Sequence, residues 1–343
     1  MARLQQSGNQ ASAARVSRCS HRSITSTEPG ERYLKPQARK TRENLSRLTT
    51  EQPNRASADL DLKSALEVVR VINAEDAKVA TAVKKALPQI AGAINLIADA
   101  LKRGGRLIYV GAGTSGRIAA LDAAECPPTF NANPKSVQFV IAGGPAALAA
   151  AVEANEDSRQ LGQREMAKKK PGRNDVVVGI AASGRTPFTI AAVAYARRKG
   201  ATTIAVTCNR NTPLQRAAQL TIVAEVGPEV ISGSTRMKAG TAQKMVLNML
   251  SSGAMTRLGH VYGNLMVNVN PKNSKLAHRG VSILQRASGV DRLAAKQALK
   301  SAGNSVPIAL VMLQAEVDRR EAARALKSSH GNVRQAIAAA RSL

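Results

Sequence analysis

Apolar residues along the chain fall into two alternating patterns, which together predict an α/β fold. Five short runs are almost continuously apolar and predict buried strands at 106–110, 137–142, 176–181, 203–206 and 220–223. Stretches with helical spacing lie between or after them, near 115–125, 145–155, 188–199 and 235–258. This alternation is typical of a parallel sheet covered by helices on both faces. Ligands bind such sheets at the carboxyl ends of the strands, so the loops after the first four runs are candidate sites.

Helical spacing also precedes the first strand. The pattern predicts a helix that begins near Asp59 or Asp61. One face of this helix carries Leu62, Leu66, Val69 and Ile72. A second periodic stretch runs from 79 to 101, where Pro88 is expected to kink it. Its apolar positions are Val79, Val83, Leu87, Ile90, Ile94, Ile97 and Leu101.

The two ends of the chain differ from this central part. Residues 290–309 align with residues 317–336, which predicts two copies of a small helical unit. Residues 1–44 hold nine Lys/Arg and three Glu and show no apolar periodicity. We therefore expect a disordered basic extension over 1–45, a sheet-containing domain over 46–285 and a small helical domain over 286–343.

Composition excludes several classes of protein. The net charge of +27 favours binding of a polyanion such as nucleic acid. Aromatic residues for base stacking make up only 2%, however, and the basic residues are scattered, so we expect no nucleic-acid site. No apolar stretch is long enough for a membrane span, so no membrane partner is expected. Three distant cysteines without ligand spacing predict a reduced, cytoplasmic protein that binds no metal.

The loop after the first predicted strand raises the question of its ligand. Gly111, Gly113 and Gly116 spell G-x-G-x-x-G, the dinucleotide-binding fingerprint. A dinucleotide site also needs an acidic residue about 20 positions further on, and none occurs between Glu125 and Glu153. A glycine turn at a helix start instead suits a phosphate monoester. The candidate ligands here are Gly113, Thr114, Ser115, Gly116 and Arg117.

Two further loops strengthen the phosphate interpretation. The loop after the third predicted strand contains Ser183, Gly184, Arg185 and Thr186, which offer hydroxyl groups and close backbone approach. A third segment opens the longest later helix and contributes Ser234 and Lys238, although helix capping explains it equally well. Two hydroxyl-rich loops that each follow a buried strand predict a phosphate or sugar-phosphate site.

Several long motifs carry a resemblance to a known family. GAGTSGR with AAECPPT, then AVEANED, VGIAASGRTP, GPEVISGSTRMKAGTAQK and VYGNLMVNV resemble the N-acetylmuramic acid 6-phosphate etherases. The resemblance runs in order from about residue 48 to the C-terminus. It implies a sugar isomerase (SIS) domain, which is a flavodoxin-like three-layer fold with a parallel sheet. N-terminal helices and a small helical C-terminal domain accompany it.

The resemblance implies cleavage of the D-lactyl ether of N-acetylmuramic acid 6-phosphate without a cofactor. The chemistry can be reasoned separately, because ring opening exposes an aldehyde that makes the C2 proton acidic. A base removes this proton, lactate leaves from C3, and water adds back. Glu125 and Glu156 match the family's catalytic pair. Glu125 is expected to protonate the leaving lactate and then activate water, and Glu156 to assist ring opening or proton transfer.

The resemblance also implies a homodimer in which each site is built partly from the neighbouring subunit. Two departures from the family pattern are Ala154-Asn155 in place of Gly-Ala and Asn268 in place of Asp. A non-catalytic sugar-phosphate regulator of the glucokinase regulatory protein type is an alternative, but the retention of both glutamates disfavours it. A sugar-phosphate isomerase is a further alternative that shares the same domain.

Overall fold

The computed structural model describes residues 48–150, 155–269 and 274–342. The predicted basic extension over 1–45 lies outside these residues. Within them, parallel strands form a single sheet in the order β2-β1-β3-β4-β5. The strands are β1 Leu107–Gly111, β2 Val137–Ile141, β3 Val176–Ile180, β4 Thr202–Thr207 and β5 Leu220–Val223. The predicted parallel α/β fold and its strands are confirmed.

The central strands are buried on both faces, which explains their unbroken apolar pattern. Every residue of β1 and β3 is buried. Tyr109 and Ile180 belong to the core that packs against α2, α3 and α7 on one face, whereas Ile108 and Val177 belong to the core on the α5 face. The helices around the sheet are α1 Ala65–Lys84, α2 Leu87–Lys102, α3 Gly113–Phe130, α4 Arg159–Lys168, α5 Pro187–Arg198, α6 Pro213–Ala217 and α7 Lys238–Arg257.

The first helix begins later than predicted. Residues 60–62 form a 3-10 turn, and α1 starts at Ala65 because Ser64 and Glu67 form a capping box. The predicted apolar face is not buried within this chain, since Leu62, Leu66 and Val69 are 82%, 57% and 56% exposed. A different face of α1, with Val79 and Val83, packs into the core.

Two predicted helices were wrong in detail. The periodic stretch from 79 to 101 is not one kinked helix, because α1 ends at Lys84 and Pro88 lies in the first turn of α2, where its missing N–H is not needed. The helix predicted near 145–155 is a short 3-10 turn at Gly144–Leu148 within the described residues.

The helix α4 was not predicted, because its sequence, RQLGQREMAK, is too polar to show an apolar stripe.

The C-terminal helices have a hydrophobic core of their own, which includes Leu284, Leu299, Leu310 and Val333. They are α8 Ser274–Ser288, α9 Arg292–Ser301, α10 Val306–Ala315, α11 Arg319–Ser328 and α12 Val333–Arg341. The pairs α9–α10 and α11–α12 are the two copies seen in the sequence. Asp291 and Asp318 occupy equivalent positions and cap the first helix of each copy.

Candidate functional site

A cavity of about 350 Å³ opens at the carboxyl edge of the sheet, where the loops after β1 and β3 meet. Its wall combines hydroxyl groups, backbone amides and two carboxylates. The residues that line it are Glu51, Ala112, Gly113, Thr114, Ser115, Arg117, Ala142, Ala147, Glu156, Ala181, Ala182, Ser183, Thr186 and Thr235. The two loops that the sequence predicted as phosphate sites therefore form one cavity.

The start of α3 supplies the features of an anion site. Gly113 has a φ of +51°, which turns the chain from β1 directly into the helix. The first N–H groups of α3 have no partner inside the helix, and the helix dipole adds positive potential at this end. Thr114 and Ser115 add hydroxyl groups beside these amides. This arrangement is suited to a phosphate monoester.

Neighbouring groups hold this loop in place. The hydroxyl of Ser115 donates to Oε1 of Gln243 at 2.9 Å, and Gln243 is buried in α7. Gly116 does not line the cavity. A Cβ there would lie 2.5 Å from the Ile141 side chain, so this glycine lets α3 pack closely against β2. Arg117 donates to the carbonyl oxygens of Ala147 and Ala150 at 3.0 and 2.7 Å and so fastens the loop after β2.

The second loop is held by close packing against α6. Gly184 has a φ of +65°, and a Cβ there would lie 2.3 Å from Oγ1 of Thr212. Its carbonyl oxygen also accepts from the N–H of Leu214 at 3.0 Å. These contacts present Ser183 and Thr186 to the cavity, whereas Gly184 and Arg185 do not line it.

The third predicted segment contributes a different residue from those expected. Thr235 lines the cavity, while Ser234 does not. Lys238 is only 1% exposed, and its ammonium pairs with Glu75 of α1 instead of facing the cavity. Glu51, which the sequence did not single out, also lines the cavity and belongs to the N-terminal segment. Thr235 belongs to the predicted third segment although it was not among the residues chosen from it, whereas no local motif marked Glu51.

The two predicted catalytic glutamates lie in different places within one chain. Glu156 lines the cavity, and its Oε1 is 3.0 Å from the position that a Cβ on Gly113 would take. Glu125 is exposed near the other end of α3, about 18 Å from Gly113 along the helix axis. It lines a second cavity of about 490 Å³ together with Met266, Arg279 and neighbouring residues. One chain therefore does not bring Glu125 and Glu156 together.

Among the described residues, no group of three or more His, Cys, Asp or Glu side chains is arranged to hold a metal ion. No helix in that part of the chain is both long and apolar enough to cross a bilayer.

Comparison with known proteins agrees with the fold. Residues 89–197 match the glucokinase regulatory protein N-terminal SIS domain, and residues 162–252 match the SIS domain. The five-stranded parallel sheet and the sugar-phosphate-type loops are thus those of a SIS-domain protein.

Relatives that match over most of their length identify the family within the SIS-domain class. The chain is 57% identical to the N-acetylmuramic acid 6-phosphate etherase of Symbiobacterium thermophilum, over 80% of this chain and 91% of the relative. It is 48% identical to N-acetylmuramic acid 6-phosphate etherase 1 of Enterococcus faecalis, over 86% of this chain and 98% of the relative. The etherase of Vibrio vulnificus is 50% identical, also over 86% and 98%. The chain belongs to the N-acetylmuramic acid 6-phosphate etherase family.

Proposed function

We propose that the chain cleaves the D-lactyl ether of N-acetylmuramic acid 6-phosphate, giving N-acetylglucosamine 6-phosphate and D-lactate. The observation that carries this proposal is the meeting of two hydroxyl-rich loops, the start of α3 and Glu156 in one cavity. The α3 amides and the hydroxyls of Ser183 and Thr186 bind the 6-phosphate, and the Ser115 hydroxyl joins them when it turns from Gln243 to the phosphate. The family relationship supplies the identity of the sugar.

The reaction proceeds by elimination followed by hydration. The open-chain sugar carries an aldehyde at C1, which acidifies the C2 proton. A carboxylate accepts this proton, the electron pair forms the C2–C3 double bond, and the C3–O bond breaks. The lactate oxygen takes a proton as it leaves, after which water adds at C3 and a proton returns to C2. Glutamates are suited to these steps because their environment sets which of them is protonated.

We further propose that the active site is completed in a homodimer. Leu121 is 55% exposed and lies one turn before Glu125 on the same face of α3. Further exposed apolar side chains precede the sheet, with Leu62 in the 3-10 turn before α1 and Leu66 and Val69 on α1 itself. A second subunit that covers Leu121 also covers Glu125. In this arrangement, Glu156 of one subunit acts together with Glu125 of the partner subunit.

We place this reaction in the cytoplasm, where thiols stay reduced. Cys126 and Cys208 are buried and free in the described part of the chain. Burial raises the pKa of both thiols to about 12, so neither is a reactive thiolate at neutral pH.

The proposed function is tested by incubating the purified protein with N-acetylmuramic acid 6-phosphate and measuring D-lactate. Glu125→Gln and Glu156→Gln are each expected to lose most turnover while retaining binding of the substrate phosphate. Glu165→Gln, a change on α4 at a residue that lines neither cavity, is the matched control and is expected to keep full activity. Absence of lactate from a folded wild-type protein would falsify the proposal.

A further inference from the structure

Glu51 lies far from the phosphate loops in the sequence, yet its side chain lines the same cavity as Ser115, Ser183 and Glu156. We propose that Glu51 is a substrate-binding residue whose carboxylate accepts hydrogen bonds from sugar hydroxyl groups. The inference rests on the proposed sugar-phosphate function of this cavity. It assigns to Glu51 the recognition of the sugar, as distinct from its phosphate.

The segment before Glu51 is fixed to the sheet by Asn209, which follows β4 and is only 3% exposed. The Asn209 Oδ1 atom accepts from the N–H and the hydroxyl of Thr49, at 2.9 and 2.8 Å. Its Nδ2 atom donates to the hydroxyl of Thr50 at 3.1 Å and to the carbonyl oxygen of Ala182 at 3.0 Å. One buried amide thus joins the N-terminal segment directly to the second phosphate loop.

The other side of Glu51 is held by the segment that leads into α7. Its carbonyl oxygen accepts from the hydroxyl of Ser232 at 3.2 Å. A Cβ on Gly233 would lie 3.2 Å from Oε2 of Glu51, so the carboxylate packs against a position that has no side chain. Contacts on both sides therefore direct an exposed residue of a short 3-10 turn into the cavity.

The chemistry of a carboxylate decides what it binds here. An ionised carboxylate accepts hydrogen bonds and donates none, so it repels a phosphate dianion and binds the hydroxyl groups of a sugar. A site that contains both the α3 start and Glu51 favours a phosphate that carries a polyol over free phosphate. Glu51 therefore contributes specificity, because its repulsion acts on every phosphate and its hydrogen bonds form only with sugars.

The test is direct binding to wild type and Glu51→Gln by calorimetry, with N-acetylglucosamine 6-phosphate and inorganic phosphate as the two probes. Glu51→Gln is expected to weaken the binding of N-acetylglucosamine 6-phosphate by roughly ten-fold or more, because a charge-assisted hydrogen bond is replaced by a neutral one. Binding of inorganic phosphate is expected to stay equal or become tighter, since a repelling charge is removed.

Glu225→Gln is the matched control, because it removes the same charge at a site where Glu225 pairs with Arg210 away from the cavity. An equal loss of binding for both probes would assign Glu51 a structural role and overturn the proposal. Unchanged binding of the sugar phosphate would also overturn it. The binding measurement does not depend on turnover. A protein that binds sugar phosphate through Glu51 but releases no lactate would overturn the etherase proposal alone.

Discussion

Lys238 and Glu75 form an ion pair buried between α7 and α1, with Nζ of Lys238 2.5 Å from Oε2 of Glu75. Their side chains are 1% and 5% exposed. The same end of α7 is fixed by Glu229, which accepts from the N–H groups of Lys238 and Ala239 at 2.9 Å each. The pair therefore locates the start of α7, directly after Thr235 of the cavity, against the N-terminal helices.

Removal of Glu75 is expected to destabilise the fold. Glu75→Gln leaves the buried ammonium of Lys238 without its countercharge, and the free energy of unfolding should fall by about 3 kcal/mol. Urea unfolding at neutral pH measures this change. Glu165→Gln breaks an exposed pair with Lys168 and should change stability by less than about 1 kcal/mol. Equal losses in the two variants would contradict the structural role of the buried pair.

The same pair predicts a pH dependence of stability. Burial alone would raise the pKa of Glu75, but hydrogen bonds from Lys238 and Lys78 lower the pKa from 4.5 to about 2. A carboxyl whose pKa is lowered on folding stabilises the protein fully above pH 4.5, and this stabilisation is lost as the pH falls towards 2. The free energy of unfolding of the wild type should therefore drop more steeply over this range than that of Glu75→Gln. Parallel profiles would exclude this coupling.

Gly184 is expected to be essential to the second phosphate loop. Gly184→Ala places a methyl group on Thr212 and also imposes a positive φ on alanine. Gly227→Ala is the matched control, because Gly227 has a similar φ of +72° and open space around it. We expect the free energy of unfolding to fall by about 1 kcal/mol in both variants, because each forces a positive φ on alanine. Only Gly184→Ala is expected to lose affinity for the sugar phosphate as well. Thermal unfolding and calorimetry separate these effects.

Ser115 is expected to act in binding and to have little effect on the chemical step. Ser115→Ala removes one hydroxyl beside the α3 start, so KM for the substrate should rise by about ten-fold with a smaller change in kcat. Steady-state rates of D-lactate release measure both constants. Thr256→Ala removes a hydroxyl that bonds only within α7 and should leave both unchanged. A fall in kcat alone would remove Ser115 from phosphate binding.

The proposed shared active site predicts complementation between two inactive variants. Glu125→Gln and Glu156→Gln subunits, mixed by reversible unfolding, form heterodimers with one intact site and one doubly substituted site. Lactate release should then recover to about a quarter of the wild-type rate, because half of the dimers are mixed. Refolding each variant alone under the same conditions is the control. No recovery from demonstrated heterodimers would contradict an active site shared between the two subunits.

The sheet was predictable because its signal is local. Buried parallel strands show unbroken apolar runs, and the observed strands β1 to β5 begin and end within one residue of the predicted runs. The helix α4 has no apolar stripe in its sequence, and it is recognised only in the structure, where it packs against α5. Patterns read along the chain therefore find buried strands more easily than a polar surface helix.

The local sequence pattern predicted site residues only where they follow a strand, whereas Glu156 was predicted through the family resemblance. Ser115 and Ser183 were found in this way. Lys238 was assigned to the ligand because its partner, Glu75, lies 163 positions away in the sequence. Glu51 was missed because its place depends on Asn209, which bonds Thr49 across 160 positions. Such long-range contacts leave no periodic signal in a single sequence.

The most direct test of the central claim is lactate release from N-acetylmuramic acid 6-phosphate in ¹⁸O-labelled water, followed by mass spectrometry of both products. Elimination breaks the C3–O bond, so D-lactate keeps its own ether oxygen, and the added water labels C3 of the sugar. Elimination followed by hydration predicts label in N-acetylglucosamine 6-phosphate beyond the exchange at the C1 aldehyde, and unlabelled lactate. Labelled lactate, or no lactate at all, would contradict it.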